Sequence, residues 1–303
     1  MRRIFLWMAR NSFLRKHVPN LWFARRAVRR FMPGERLEDA LAAAETFAPF
    51  GVTAYFTRLG ENLTDLAEAD AIAAHYLDAL DQIKARGMDG EISVKLTQLG
   101  LDLDAEATRL HVGALAKRAR ELGLGTMWID MEGSDYTETT VALYESLKPS
   151  HPNLGLCLQA YLRRTAADVA RLLPLTPAIR LVKGAYDEPA EVAYRSGAEV
   201  DAGFVAQAMA ILSGGGMLGL GTHDVKLIEQ IGAAAAAAGI GRERYEVEML
   251  YGIRADELKR LARAGYRARV LIAYGEFWYP WYLRRLAERP ANVTFVLRQL
   301  LPW

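Results

Sequence analysis

IRLVKGAYDEPAEVAYRSGAEVDAGFVAQAMAILSGGGMLGLGTHD occupies residues 179–224, and its reading decides the fold. Ile179–Lys183 is a short, mostly apolar run, the texture of a strand covered on both faces. Val192–Leu212 carries a long helical pattern, and Leu218–Thr222 is a second run of the first kind. Strand, helix and strand make one βαβ unit, and such units imply a parallel sheet. The same alternation runs outward in both directions. Further strands are expected at Val52–Thr57, Ile92–Leu96, Thr126–Met131, Leu154–Ala160, Tyr245–Leu250 and Ala268–Ala273. Helices are expected at Leu66–Lys84, Glu106–Leu122, Thr139–Leu147, Ala166–Leu173, Val225–Ala238, Asp256–Ala264 and Phe277–Glu288. Gly87, Gly123 and Gly239 stand where helix C-terminal caps belong, and Asp65 with Glu68 reads as a helix start.

Eight β–α repeats predict an α/β protein, a (βα)8 TIM-like barrel. A doubly wound sheet binding a dinucleotide would carry G-x-G-x-x-G after its first strand. Arg58-Leu-Gly-Glu-Asn stands there instead, and Gly214-Gly215-Gly216 lacks the Lys-Ser/Thr of a phosphate loop.

Composition sets the frame. With 51% apolar and 24% charged residues, the 303-residue chain is neither disordered nor fibrous. The single cysteine, Cys157, excludes a disulfide framework and a cysteine metal site, and with no HExxH pattern no metal is expected. The net charge of +2 hides an asymmetry: residues 1–36 hold ten Lys/Arg and one acid, so the other 267 residues carry −7. Two parts are expected, a basic helical arm over 1–50 and the barrel over 51–303. A basic arm on an acidic body points to an anionic surface. No run reaches the roughly 18 apolar residues of a membrane span, and the start is a poor secretory signal. A cytoplasmic protein is expected, or a mitochondrial matrix one if the source is eukaryotic.

In a barrel, chemistry collects at the C-terminal ends of the strands. Those ends carry Glu61, Lys95, Asp130 with Glu132, Gln159 with Tyr161, and Arg180 with Lys183 and Tyr186. Thr222 with His223, Glu248 with Tyr251, and Tyr274 with Glu276 complete the set. Lys95 and Asp130 are charges inside apolar strands, so they need each other or a ligand. A structural ion pair is the plain alternative. Arg180 and Lys183, three apart, are expected on opposite faces of their strand. Thr222 or His223 could donate to a phosphate at the following helix N-terminus. The last helix bears Arg284 and Arg285, with Glu288 in pairing range of both. Twin arginines suit a carboxylate. However, Arg284 lies about 12 Å along the helix from Glu276, so such a role needs this helix to cross the barrel mouth.

The combination of SVKL around Lys95, IDxE at Asp130, QAY at Gln159 and RLVKGAY at Arg180 is specific when taken in order. GTHD at Gly221, MLYG at Met249 and YLRRLAER after Tyr274 extend it. Over about residues 50–300 the chain resembles the proline dehydrogenase family, flavin enzymes that open proline catabolism. The resemblance implies non-covalent FAD at the mouth, L-proline oxidised to 1-pyrroline-5-carboxylate, and electrons passed to a membrane quinone. It also implies a last helix lying over the mouth. By matched position, Arg284, Arg285 and Lys95 would hold the substrate carboxylate, Glu288 would steady the arginines, and Glu61 would gate the site through Arg284. Arg180 would face the hydride-accepting nitrogen, with Gln159 on the isoalloxazine. Lys183, Gly184, Ala185, Thr222, His223 and Glu288 would lie along the rest of the cofactor. Asp130, Tyr186, Leu250 and Leu271 would line the substrate pocket, with Arg180, Lys95 and Asp130 nearest the chemistry.

Three residues depart from the family pattern, Ala273 among them, where a proline is usual. Leu271 stands where a tyrosine is usual, which removes a hydroxyl from the pocket wall. Glu248 stands where glutamine is common; such a charge either alters flavin contacts or pairs with a cation. Two other readings stay open: a Schiff-base aldolase using Lys95 or Lys183, and a non-enzymatic scaffold. With a quinone-linked reaction implied, the arm is read as peripheral membrane contact through residues 1–36, and nucleic acid is not expected. The alternative is helical docking of the arm onto the barrel. On the enzyme reading, deleting residues 1–36 is expected to spare soluble turnover.

Overall fold

A computed structural model describes Phe5, residues 7–9, 11–60 and 63–288. Eight parallel strands close into a barrel in chain order: β1 Val52–Arg58, β2 Gly90–Val94, β3 Met127–Ile129, β4 Leu154–Gln159, β5 Ala178–Val182, β6 Met217–Gly221, β7 Tyr245–Leu250 and β8 Arg267–Tyr274. The barrel closes through β1 and β8, in register from Val52↔Ala268 to Arg58↔Tyr274. All eight expected strands are present.

The helices form the outer layer, and their ends follow local chemistry. The Asp65 side chain accepts from Ala67 N at 3.0 Å to start helix Leu66–Ala85. Gly87, Gly123 and Gly239 take φ of 64°, 67° and 71°, a left-handed cap that glycine adopts with least strain. Two starts differ from expectation. The helix expected from Thr139 begins at Ser134, because Glu188 reaches over to accept from Ser134 N at 2.8 Å. The helix expected from Val192 begins at Gly197. Residues 192–194 are engaged elsewhere: Val192 O accepts from Arg163 N, Tyr194 N donates to Tyr161 O, and Ala193 bridges Leu162. That backbone is therefore unavailable to a helix.

The barrel interior is charged as well as apolar. Near the N-terminal ends of the strands, Arg269 pairs with Glu246 at 3.1 Å and Glu91 at 3.3 Å, while Trp128 Nε1 donates to Glu91 at 2.7 Å. Such a cluster is tolerable because its charges meet opposite ones and their hydrogen bonds are made.

Two apolar clusters hold most of the rest. The main one lies between strands and helices and takes in Leu37, Ala40 and Leu41 of helix Leu37–Glu45. Packing against the barrel therefore begins near residue 37 rather than 51. The second joins Ala24, Ala27, Val28, Phe31 and Met32 of the arm to Trp278, Tyr282 and Leu286 of the last helix, Trp278–Glu288. Trp278 Nε1 also donates to Glu35 at 3.1 Å. The arm thus docks, and on the helix that carries the twin arginines. Removing residues 1–36 would strip that helix of its cover, so the truncation is not a neutral change. Trp7, Phe13 and Trp22 meanwhile face outward, at 61%, 67% and 73% exposure. Among the described residues, no helix is long and apolar enough to cross a membrane.

Candidate active site

The C-terminal ends of the strands open into a cavity of about 510 Å³, within the range of small-molecule sites. Lys95, Asp130, Gln159, Arg180, Lys183, Gly184, Ala185, Tyr186, Thr222, His223, Leu250, Leu271 and Arg285 all line it. Glu61 and the side chains of Arg284 and Glu288 lie outside the described residues. Arg285 reaches the cavity together with Trp281, one helical turn before it, so the last helix turns one face to the mouth.

The floor is a buried network of charges. Lys95 Nζ donates to Asp130 Oδ2 at 3.0 Å. Arg180 Nη1 donates to Asp130 Oδ1 at 3.1 Å and Ser93 Oγ at 2.9 Å, and its Nε to Glu248 Oε2 at 2.6 Å. The Tyr55 O–H donates to the same Glu248 oxygen at 2.9 Å. The guanidinium carbon sits 4.0 Å from the Tyr55 ring centroid and 4.4 Å from that of Trp128, a cation held against two π faces. Burial disfavours the Lys95 ammonium, yet the Asp130 carboxylate outweighs it and holds Lys95 above its usual range. Burial likewise opposes the Asp130 carboxylate, and Lys95 with Arg180 holds it ionised, below its usual range. Glu248 goes the other way: burial pushes its carboxyl up to about 7 against the pull of Arg180. Of the two fates left open for Glu248, pairing with a cation is the one observed.

Arg180 and Lys183 both face the cavity, rather than opposite sides of the sheet. Strand alternation stops at Val182, and Gly184 at φ 122° turns the chain over Tyr161. A Cβ at Gly184 would collide with the Tyr161 ring. Lys183 Nζ is held by Asp201 at 2.6 Å and Asp224 at 3.3 Å. Gln159 is fixed by Nε2 donating to Glu132 O at 2.9 Å, and the Glu132 carboxylate accepts from Thr97 N and Oγ1. His223 Nε2 accepts from Leu250 N at 3.1 Å, so the ring carries its proton on Nδ1 when neutral. Thr222 Oγ1 accepts from Asp224 N at 3.2 Å, and its O–H stays a donor.

Tyr55, Thr57, Cys157, Tyr194, Arg195, Asp201 and Trp281 also line the cavity, and sequence reasoning misses them. Arg195 and Asp201 sit in the stretch that reads as unbroken helix, which hides their approach to the mouth. Among the buried cavity-wall donors without a protein partner is Arg180 Nη2. A buried donor left unmade is costly, so this atom suits a ligand rich in acceptors. Among the described residues, no group of three or more His, Cys, Asp or Glu is gathered as a metal would need.

A family model described as proline dehydrogenase matches residues 40–298. Proline dehydrogenase 1 of Bacillus subtilis subsp. natto is 36% identical over 301 residues, covering 99% of both chains. Proline dehydrogenase of Deinococcus radiodurans is 35% identical over 277 residues, covering 90% of this chain and 89% of that one. Among solved structures, proline utilization A from Bdellovibrio bacteriovorus, inactivated by N-propargylglycine, superposes with a TM-score of 0.83 at 21% identity. The match covers 98% of this chain and 37% of that one, a likeness of fold.

Proposed function

The chain belongs to the proline dehydrogenase family, and we propose that it oxidises L-proline to 1-pyrroline-5-carboxylate, the first step of proline catabolism, with non-covalent FAD as the hydride acceptor. The observation that carries this reading is the cavity itself. It gathers five cationic side chains, Lys95, Arg180, Lys183, Arg195 and Arg285, with an orphaned guanidinium nitrogen at its floor. Arg180 Nη2 would donate to the ring carbonyls or nitrogens of an isoalloxazine, and Met249 and Trp281 in the wall would add apolar contact. Gln159 would meet the ring edge, and Lys183, Gly184, Ala185, Thr222 and His223 the ribityl and phosphate portion. Glu288 would steady the end of the site. Bound FAD would supply hydride acceptance; the protein supplies position and charge.

Arg285 with Arg284 would fork onto the substrate carboxylate, and Lys95 would add a third cation. Glu61 would pair with Arg284 as a gate. Fixing the carboxylate orients the ring carbon beside nitrogen and removes much of the entropic barrier. Asp130 holds Lys95 and Arg180 in place through its two oxygens. With Asp130 so engaged, little free negative charge remains to stabilise the ammonium form of proline, which must be neutral for hydride to leave. Tyr186, Leu250 and Leu271 would enclose the ring.

A Schiff-base aldolase fits less well. Such a lysine must lose its proton readily. Asp130 holds Lys95 charged, and Lys183 is clamped by two carboxylates.

Electrons would pass to a membrane quinone, with the protein seated on the cytoplasmic side of the bilayer. The outward Trp7, Phe13 and Trp22, set among basic residues, suit an anionic interface. Serine at all three should abolish sedimentation with anionic vesicles and leave soluble turnover intact; sedimentation that survives would refute the arm as the contact. Purified protein should show flavin absorbance. A colourless protein that takes up no added FAD would refute the functional reading.

A further inference from the structure

Glu248 is a charge in this site that the functional reading does not use. Its side chain is fully buried at the cavity wall, on β7. Its Oε2 holds Arg180 Nε and the Tyr55 hydroxyl. Arg180 is thereby constrained on every side: Glu248 at Nε, Asp130 with Ser93 at Nη1, and the Tyr55 and Trp128 rings against its plane. The donor left over is Nη2. Two cations, Lys95 and Arg180, thus face two carboxylates, Asp130 and Glu248. Glutamine at position 248 would keep a hydrogen bond to Arg180 and leave the cluster with one uncompensated positive charge. Gly219 of β6 leaves room for this side chain, since a Cβ there would collide with Glu248 Oε1, an oxygen that has no hydrogen-bond partner of its own.

We propose that Glu248 is a positioning residue that cancels the Arg180 charge at the cavity floor, aims Nη2 into the cavity, and so lowers the reduction potential of the bound flavin. The inference rests on the proposed flavin function. A guanidinium beside an isoalloxazine favours the electron-rich reduced form, because the added negative charge meets a positive one. A carboxylate 2.6 Å behind that guanidinium removes most of the advantage. The effect needs Glu248 ionised, and burial places its titration near neutrality. The groups facing it are Tyr55 of β1, Cys157 of β4, Arg180 of β5, Glu246 of β7 and Arg269 of β8, and Asp130 after β3 shares Arg180 with it. Tyr55 and Cys157 titrate above their usual ranges, burial being the main cause, so neither changes charge near neutrality. Asp130 and Glu246 are held below theirs by neighbouring cations against burial, and Arg180 and Arg269 stay cationic.

The test is the midpoint potential of the flavin in the holoprotein, measured from pH 5.5 to 8.5 in wild type, E248Q and E248D. At pH 8.5 E248Q should lie above wild type, and the gap should close toward pH 5.5, where the wild-type carboxyl is itself neutral. E248D keeps the charge and should follow wild type. Wild type alone gives a second reading: reduction should draw an extra proton to Glu248, so its potential falls more steeply with pH around this titration. A gap that is absent, reversed or independent of pH overturns the proposal, as does E248D behaving like E248Q. Protein without flavin would overturn the functional reading first, and that shows in the absorbance before any potential is measured.

Discussion

Replacing Arg180 by methionine is expected to cost the fold about 3 kcal/mol or more, read as a lower urea unfolding free energy at pH 8. Methionine fills much of the volume beside Tyr55 and Trp128, so the loss is chiefly electrostatic. Arg180 answers two carboxylates, Asp130 and Glu248, and its own side chain and that of Glu248 are buried. Without it, Asp130 keeps Lys95, and Glu248 keeps the Tyr55 hydroxyl. The remedy open to Glu248 is to take a proton. Its carboxyl, at about 7 in the intact network, should rise further once the cation is gone. An acid whose folded-state value is raised resists folding at high pH, where the unfolded chain leaves it ionised. The deficit of R180M should therefore widen as pH rises through about 7, and shrink below it, where Glu248 is neutral in both proteins. A deficit under about 1 kcal/mol at pH 8, the value of an exposed pair, would contradict the buried clamp. Flavin content should fall in parallel, since Nη2 is lost as well.

Replacing Arg285 by alanine is expected to raise the KM for L-proline about 100-fold while kcat changes far less. Truncating one side of an enclosed, charged hydrogen bond costs several kcal/mol, and each 1.4 kcal/mol is about tenfold. Arg285 reaches the cavity from the last helix, beside Trp281 and on the same lining surface as Lys95. Lysine at this position retains the charge and loses the planar fork, so R285K should recover part of the affinity. The split between KM and kcat separates carboxylate binding from mere support of the helix, which would lower the amount of active protein instead. An unchanged KM would remove Arg285 from the substrate.

The barrel is legible in the sequence because its strands are short apolar runs ended by polar residues, and its helices stop at glycines suited to left-handed caps. The start of the long helix before β6 is not, because residues 192–194 hydrogen-bond across to 161–163 and no local signal announces that. Lys95, Asp130 and Arg180 stand out as charges among apolar neighbours, and that signal leads straight to the network at the floor. Glu248 carries the same signal, alternating with Val247 and Met249, but its partner Arg180 lies 68 residues away and only the closed barrel brings them together. Tyr55, Cys157 and Trp281 read as ordinary core, since an apolar side chain pointing into a cavity looks like one pointing into packing. The docking of the arm is hidden for a similar reason: buried Phe31 and exposed Trp22 belong to the same basic, aromatic stretch.

Anaerobic addition of L-proline to the purified protein, followed by flavin absorbance, shows whether this chain oxidises proline on a bound flavin. The oxidised flavin band should bleach without any nicotinamide cofactor, and a trap for the cyclic imine should recover 1-pyrroline-5-carboxylate in proportion to the flavin reduced. A flavin band that L-proline leaves unchanged would mean that proline is not the substrate.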